Sequence, residues 1–146
     1  MPEKETLERV EEDKQEGKAA STQAGEFVRE EIEHVREGKH GARSARQVIA
    51  IGLSKARRAG VKLPPPKKGP KATREKAVRD SRKGRNAGKS KTSAKRSRAT
   101  SRALKREGRS AASKKVLSRH ARSAAAKRSA ASRSRSATKA AATRKK

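Results

Sequence analysis

Several residue types that support common protein functions are scarce or missing in this chain. It contains no cysteine, which excludes disulfide bonds and thiolate metal sites and leaves the redox compartment open. Phe27 is its only Phe, Tyr or Trp, so there is no row of aromatic rings on which single-stranded bases could stack. No apolar run approaches the roughly 20 residues that a transmembrane helix needs, so we expect no membrane partner.

Acidic residues are almost absent from the second half of the chain. From Pro64 to Lys146, 30 lysine and arginine residues stand against Glu75, Asp80 and Glu107, a net charge of +27. The whole chain carries +28, so the preceding part contributes only +1. A charge of this size indicates a polyanionic partner, and its sign alone would fit DNA, RNA, polyphosphate or anionic lipid.

Bulky apolar side chains are also scarce and unevenly distributed. Leu, Ile, Val and Phe make up 16 of the 146 residues, a low content that, with a high net charge, is typical of disordered chains. Only four of them follow Pro64: Val78, Leu104, Val116 and Leu117. We therefore predict that any core lies within residues 1–63. Residues 71–146, rich in Lys, Arg, Ala and Ser, are predicted to form a disordered, transiently helical tail.

Two amphipathic segments predict a helical hairpin over residues 21–63. The first is predicted to be helical over residues 22–37, with Gly38 just past its end. Its apolar stripe consists of Ala24, Val28, Ile32 and Val35. The second is predicted over residues 44–59, because Ser44 and Gln47 match a capping box and Gly60 follows the last apolar position.

The segments that flank the hairpin are simpler. Residues 1–20 fit either a short frayed helix near Thr6–Glu16 or a solvated, charged arm. Three consecutive prolines predict a stiff spacer over residues 64–70, which should limit contact between the tail and the acidic helix. The predicted fold class is therefore a small all-α helical hairpin followed by a long intrinsically disordered basic tail.

The hairpin is small, and we predict that it self-associates. The apolar area that it could bury does not clearly offset the conformational entropy of ordering about 38 residues. Small residues in the second helix would let another helix approach closely, which favours a homodimer over a monomeric hairpin. The predicted interface residues are Phe27, Val28, Ile32, Val35, Val48, Ile49, Gly52 and Ala56.

Residues that could perform catalysis are not arranged for it in the sequence. His34, His40 and His120 share no metal-ligand spacing and are interpreted as surface residues, so no metal and no cofactor are predicted. Glu30 and Glu31 are interpreted as carboxylates on a solvated helix face. No serine has an organised base nearby. We therefore predict that the protein is not an enzyme and has no small-molecule substrate.

The first half of the chain resembles a known family. The resemblance rests on STQAGEFVREEI from Ser21, REGKHG from Arg36 and IAIGLSKARRAGVKLP from Ile49, and it covers roughly residues 1–70. The family comprises small basic proteobacterial proteins that carry a domain of unknown function, some of them labelled DNA-binding. In composition alone, the tail resembles those of bacterial histone-H1-like proteins, which implies nucleoid association.

These observations predict a non-catalytic, histone-like protein that binds DNA largely without sequence preference. We expect it in the bacterial cytoplasm, associated with the nucleoid. The alternatives are an RNA- or ribosome-binding protein and a protein-interaction adaptor whose tail only localises it. The predicted nucleic-acid contacts are Arg57, Arg58, Lys67, Lys68, Lys71, Arg82, Lys83, Arg85, Lys89, Lys91, Lys95, Arg96, Arg98, Arg102, Lys105, Arg106, Arg109, Lys114, Lys115, Arg119, Arg122, Lys127, Arg128, Arg133, Arg135, Lys139, Arg144, Lys145 and Lys146.

Overall fold

The computed structural model describes residues 2–86 and 93–144, which form an all-α arrangement. Within these ranges there are seven α-helices and one short 3₁₀ segment, which we call the 110–112 turn. Their bounds are α1 (Lys4–Gln15), α2 (Ala20–Glu37), α3 (Ala45–Arg58), α4 (Lys71–Arg85), α5 (Ala94–Lys105), the turn (Ser110–Ala112), α6 (Lys114–Ala126) and α7 (Ala130–Arg144).

Helices α2 and α3 form the centre of the molecule. Gly38 ends α2 in the left-handed region, with φ of 81°. The Ser44 hydroxyl accepts a hydrogen bond from the Gln47 amide at the start of α3, which confirms the predicted cap. Gly52 lies where a Cβ atom would be 2.6 Å from the Cα of Val28, so it permits a close approach of α2 and α3. Gly52 therefore allows α2 and α3 of one chain to pack closely, rather than being needed for contact with a second chain.

The core consists of two small clusters at opposite ends of this helix pair. Ala24, Phe27, Ala56 and Val61 form the first, and Val10 of α1 packs against it. The second contains Val35, Ala42 and Val48 of the hairpin together with Ala111 and Ala112 of the turn. Both clusters therefore draw on residues outside the predicted hairpin, and the second draws on the basic half of the chain.

The prediction of a disordered tail over residues 71–146 is wrong, because helices and the 110–112 turn fill the described part of it. Helix α4 packs on α3 through Ala77 and Asp80, which are both buried. The Asp80 carboxylate accepts hydrogen bonds from the Ser54 hydroxyl at 2.7 Å and from Arg58 Nε at 2.8 Å. A single acidic residue therefore joins this helix to the hairpin.

The 110–112 turn also packs on the hairpin, so the proline spacer does not keep the basic half away from α2. Arg36 Nε donates to the Ala112 carbonyl at 2.9 Å. The loop between α2 and α3 adds two backbone hydrogen bonds, from the Gly41 amide to Leu104 O at 2.9 Å and from the Ala42 amide to Gly108 O at 3.0 Å. Alanine methyls, backbone groups and the Arg36 side chain make this contact. A search of the sequence for bulky apolar residues therefore does not predict it.

The remaining basic helices have little tertiary support. Within the described chain, α5 and α7 bury no side chain, and α6 only half-buries Val116, Leu117 and His120. Among residues 2–86 and 93–144, no helix combines the length and the apolar content that crossing a bilayer requires.

Candidate nucleic-acid interface

The helices α5, α6 and α7 present basic side chains that have no acidic neighbours. Together they carry thirteen lysine and arginine residues and no aspartate or glutamate. The nearest acidic residue in sequence, Glu107, pairs with Arg43 of the hairpin at 3.2 Å. In the part of the chain that the structure describes, none of the thirteen forms an ion pair. Their charge is thus available to an external anion.

Helix α4 has two chemically different faces. Ala77 and Asp80 face α3, whereas the opposite side is an open, mostly basic surface with an exposed Val78. That surface is lined by Lys71, Arg74, Glu75, Val78, Arg79 and Arg82. The residues of this surface are spaced so that they share one face of the helix. The residues that pack α4 on α3 lie on a different face, so packing leaves the basic surface exposed.

Three basic side chains on α1 and α2 pair with an acidic residue of the same helix. The pairs are Arg9 with Glu5, Lys14 with Glu11 at 3.1 Å, and Arg29 with Glu33 at 3.2 Å. Such exposed pairs contribute little to stability, on the order of 0.2–1 kcal/mol each. These pairs matter for anion binding, because the three basic side chains already have anionic partners.

Most predicted nucleic-acid contacts are exposed, with one exception. Arg57 is buried and donates to the Pro64 carbonyl at 3.2 Å. Burial lowers the pKa of Arg57, against the opposing effect of Asp80. Its burial speaks against the predicted role. Arg58 is exposed but holds Asp80. Four predicted residues lie outside the described ranges: Lys89, Lys91, Lys145 and Lys146.

The predicted self-association residues divide into two groups. Five are buried inside one chain: Phe27, Val35, Val48, Gly52 and Ala56. Val28, Ile32 and Ile49 are only partly buried. Because α1, α4 and the 110–112 turn supply packing that the isolated hairpin lacks, the energetic reason for a dimer is weaker than the sequence suggested. The homodimer stays a prediction.

A cluster of buried charges lies beneath α1, and the sequence did not reveal it. Glu30 and Glu31 are 3% and 1% exposed, rather than lying on a solvated face. Lys55 Nζ lies 3.1 Å from Glu30 Oε1 and 2.6 Å from Glu31 Oε2. Burial alone would raise the pKa of Glu30, but hydrogen bonds from Thr6, Lys55 and the Glu3 amide outweigh it and lower that pKa. Burial would lower the pKa of Lys55, yet the two glutamates raise it.

Two histidines adjoin this cluster. His34 is buried, which corrects its interpretation as a surface residue, and His40 is partly buried. Glu3 Oε1 lies 2.8 Å from His34 Nε2 and 2.7 Å from Lys39 Nζ, and hydrogen bonds from Lys39 and then His34 lower the pKa of Glu3 to about 2. His40 Nε2 lies 2.8 Å from Glu31 Oε1. Within residues 2–86 and 93–144, Glu31, His34 and His40 form a group that could hold a metal ion.

The sequence did carry one signal of this arrangement. Glu31 and His34 are three residues apart, a spacing that places both side chains on one helix face. A helix-ending Gly38 then lies between them and His40. The three histidines share no regular spacing with one another, so histidine spacing alone does not predict this group.

Comparison with known proteins identifies a domain but no activity. Residues 13–68 match a family described as "Family of unknown function (DUF6496)". The match runs from the end of α1 through α2 and α3, and it confirms a domain of unknown function in the N-terminal half. No curated protein and no solved structure matches the chain.

Proposed function

We propose that the protein is a non-catalytic DNA-binding protein of the bacterial nucleoid that recognises the duplex largely without regard to sequence. The observation that carries this proposal is the set of thirteen unpaired basic side chains on α5, α6 and α7. Neutralising phosphates with such groups releases counterions from the duplex, and that release supplies affinity that does not depend on base sequence.

The arrangement of these charges suits a phosphate backbone. On α5, four basic residues recur at spacings of three, four and three positions, which places them on one face over about 15 Å. They are Lys95, Arg98, Arg102 and Lys105. On α6, Lys115, Arg119 and Arg122 repeat the pattern. Each helix can therefore lay a row of cations along several successive phosphates.

The side chains that read adenine or cytosine edges are lacking on these faces. Asn and Gln pair with adenine and Asp and Glu accept from cytosine, and α5 to α7 contain none of these, whereas their arginines and lysines can bind any phosphate as well as guanine. Phe27, the one aromatic ring, is fully buried in the hairpin, so it offers no stacking surface for unpaired bases. These features favour a duplex bound through its backbone.

A homodimer would let one assembly bridge two duplexes, and we retain it as part of the proposal. Its interface would have to use the partly exposed Val28, Ile32 and Ile49, since the other predicted residues are already buried. Sedimentation at increasing concentration tests this part separately. A chain that stays monomeric at tens of micromolar removes the dimer but leaves the DNA-binding proposal intact.

The test of the main proposal is the salt dependence of duplex binding by the full chain. If about 8–10 phosphates are engaged, log K against log[salt] should have a slope near −7 to −9. Replacing Lys95, Arg98 and Arg102 by glutamine should make that slope shallower by about 2.7, because each lost cation contributes about 0.9. A full-chain slope shallower than about −3 would overturn the proposal.

A matched control changes the net charge equally without touching the basic helices. The triple variant Arg9→Gln, Lys14→Gln, Arg29→Gln removes three cations that are already ion-paired. We expect its slope to equal that of the wild type. Competition between duplex DNA and duplex RNA at fixed salt then addresses the alternative partner, and a clear preference for RNA would reassign the function to RNA binding.

A further inference from the structure

A compact group of metal-ligand residues lies where α2 ends. One ligand atom each from Glu31, His34 and His40 can be chosen so that all three lie within 4.8 Å of one another. Glu31 is 1% exposed and His34 is buried, so two of the three are held inside the protein. None of them belongs to the basic helices that carry the proposed DNA contacts.

The backbone brings these residues together for local reasons. Glu31 and His34 are one turn apart on α2 and share a face. Gly38 then reverses the chain in the left-handed conformation, which returns His40 towards that face. The two imidazole rings end 6.2 Å apart between centroids at an interplanar angle of 82°.

The hydrogen bonds of His40 leave one nitrogen aimed at a carboxylate. Its Nδ1 lies 3.0 Å from the Gly41 carbonyl, which can only accept, so the tautomer with its hydrogen on Nδ1 donates to that oxygen. In a neutral ring, Nε2 then holds a lone pair that faces Glu31 Oε1 at 2.8 Å. A hydrogen on Nε2 can fill this contact, and a metal ion coordinated by Nε2 and Oε1 can take the place of that hydrogen.

The surroundings match the outer shell of a metal site. Ligating histidines usually donate the N–H of their second ring nitrogen to a carbonyl or carboxylate, and the Gly41 carbonyl lies 3.0 Å from His40 Nδ1. His34 Nε2 is held 2.8 Å from Glu3 Oε1. Lys55 lies 2.6 Å from Glu31 Oε2 and so leaves Oε1 as the oxygen that faces His40.

The local charge balance also favours a cation. Three carboxylates meet here, from Glu3, Glu30 and Glu31, whereas only Lys39 and Lys55 neutralise them. Three carboxylates against two ammonium groups leave one excess negative charge beside the two histidines. Two imidazole nitrogens and one carboxylate oxygen are a donor set that suits Zn²⁺, whereas Mg²⁺ and Ca²⁺ prefer oxygen ligands alone.

We propose that Glu31 Oε1, His40 Nε2 and a ring nitrogen of His34 bind one Zn²⁺ ion, with water as the fourth ligand. The ion stabilises the loop between α2 and α3, whose Gly41 and Ala42 amides hold the basic half of the chain at Leu104 and Gly108. It therefore supports the attachment of the basic helices rather than contacting DNA itself.

The direct test adds zinc alone to the metal-free full chain in a phosphate-free buffer. The chain has three histidines, so their ring signals in a ¹H–¹³C correlation spectrum can be followed separately. We expect saturation at one equivalent, with His34 and His40 shifted and His120 unchanged. No saturable binding at micromolar zinc, or equal shifts of all three rings, would overturn the proposal.

Variants extend the test with a matched histidine control. His34→Gln and His40→Gln should each weaken zinc binding at least ~10-fold, as measured by competition with a chromophoric chelator. His120→Gln, on the half-exposed side of α6, should bind like the wild type. Unchanged affinity in His40→Gln would contradict the assignment. If either cluster variant fails to fold, the spectrum of the wild-type chain still decides.

Discussion

The basic half of the chain contains two kinds of helix that composition does not distinguish. Helix α4 and the 110–112 turn are packed on the hairpin, whereas α5 and α7 leave all their lysine and arginine side chains in solvent. Helices α4, α5 and α7 all carry a net positive charge. The difference comes from a few small or acidic residues, namely Ala77, Asp80, Ala111 and Ala112.

This contrast shows how a strongly basic segment can pack on the hairpin while its lysine and arginine side chains stay accessible to solvent. Buried alanine methyls need no bulky partner, and one carboxylate orients two donors of the hairpin. Attachment through α4 and the 110–112 turn leaves the cations of the other helices free. Anchoring and anion binding therefore reside on different residues, which makes them separable by mutation.

The largest expected effect comes from removing the anchor of α4. Asp80→Ala deletes a buried carboxylate and leaves Arg58 and Ser54 without their partner, so the free energy of unfolding should fall by ~3 kcal/mol. Chemical denaturation measures the loss. Glu75→Ala, an exposed position on the same helix, changes the net charge equally and should cost less than ~0.5 kcal/mol. Equal effects would show that Asp80 acts only through net charge.

A smaller effect is expected where the 110–112 turn meets the hairpin. Ala112 is fully buried against Val35, Ala42 and Val48, so Ala112→Leu should overpack the site and lower the unfolding free energy by about 1–3 kcal/mol. The matched change Ala125→Leu, on the exposed side of α6, should be close to neutral in the same thermal or chemical unfolding experiment. A neutral Ala112→Leu would mean that the turn is not packed as described.

The smallest expected effect lies in α7. Ala137→Gly should reduce helical circular dichroism, because glycine disfavours a helix by about 1 kcal/mol and α7 buries no side chain. The free energy of global unfolding should nevertheless stay within ~0.5 kcal/mol of the wild type. Ala56→Gly in α3, where the methyl group is fully buried, provides the contrast and should destabilise the whole fold. A comparable global loss from Ala137→Gly would place α7 in the core.

The sequence predicted those parts of the fold that depend on local signals. The Ser44 cap and the left-handed Gly38 follow from short patterns that act within one turn of a helix. The attachment of the basic half depends instead on alanine and on one aspartate. The burial of these residues cannot be predicted from residue type. Alanine is common in solvated helices, and an aspartate in a basic segment is usually exposed.

The candidate sites were predictable to different degrees for a similar reason. Exposure of the basic residues follows from composition, since lysine and arginine rarely lose contact with water unless paired. The burial of Glu31 and His34 depends on α1, Lys55 and the α2–α3 loop converging on one place. Such convergence is a property of the tertiary structure, and no spacing within a single segment encodes it.

Amide hydrogen exchange of the full chain, with and without duplex DNA, tests the central contrast most directly. In the free protein, α4 and the backbone amides of Gly41 and Ala42 should be protected with the hairpin, while α5 and α7 exchange rapidly through local opening. DNA should then protect α5 to α7 selectively. Uniformly fast exchange from Lys71 onward, or DNA-induced protection confined to the hairpin, would contradict this account.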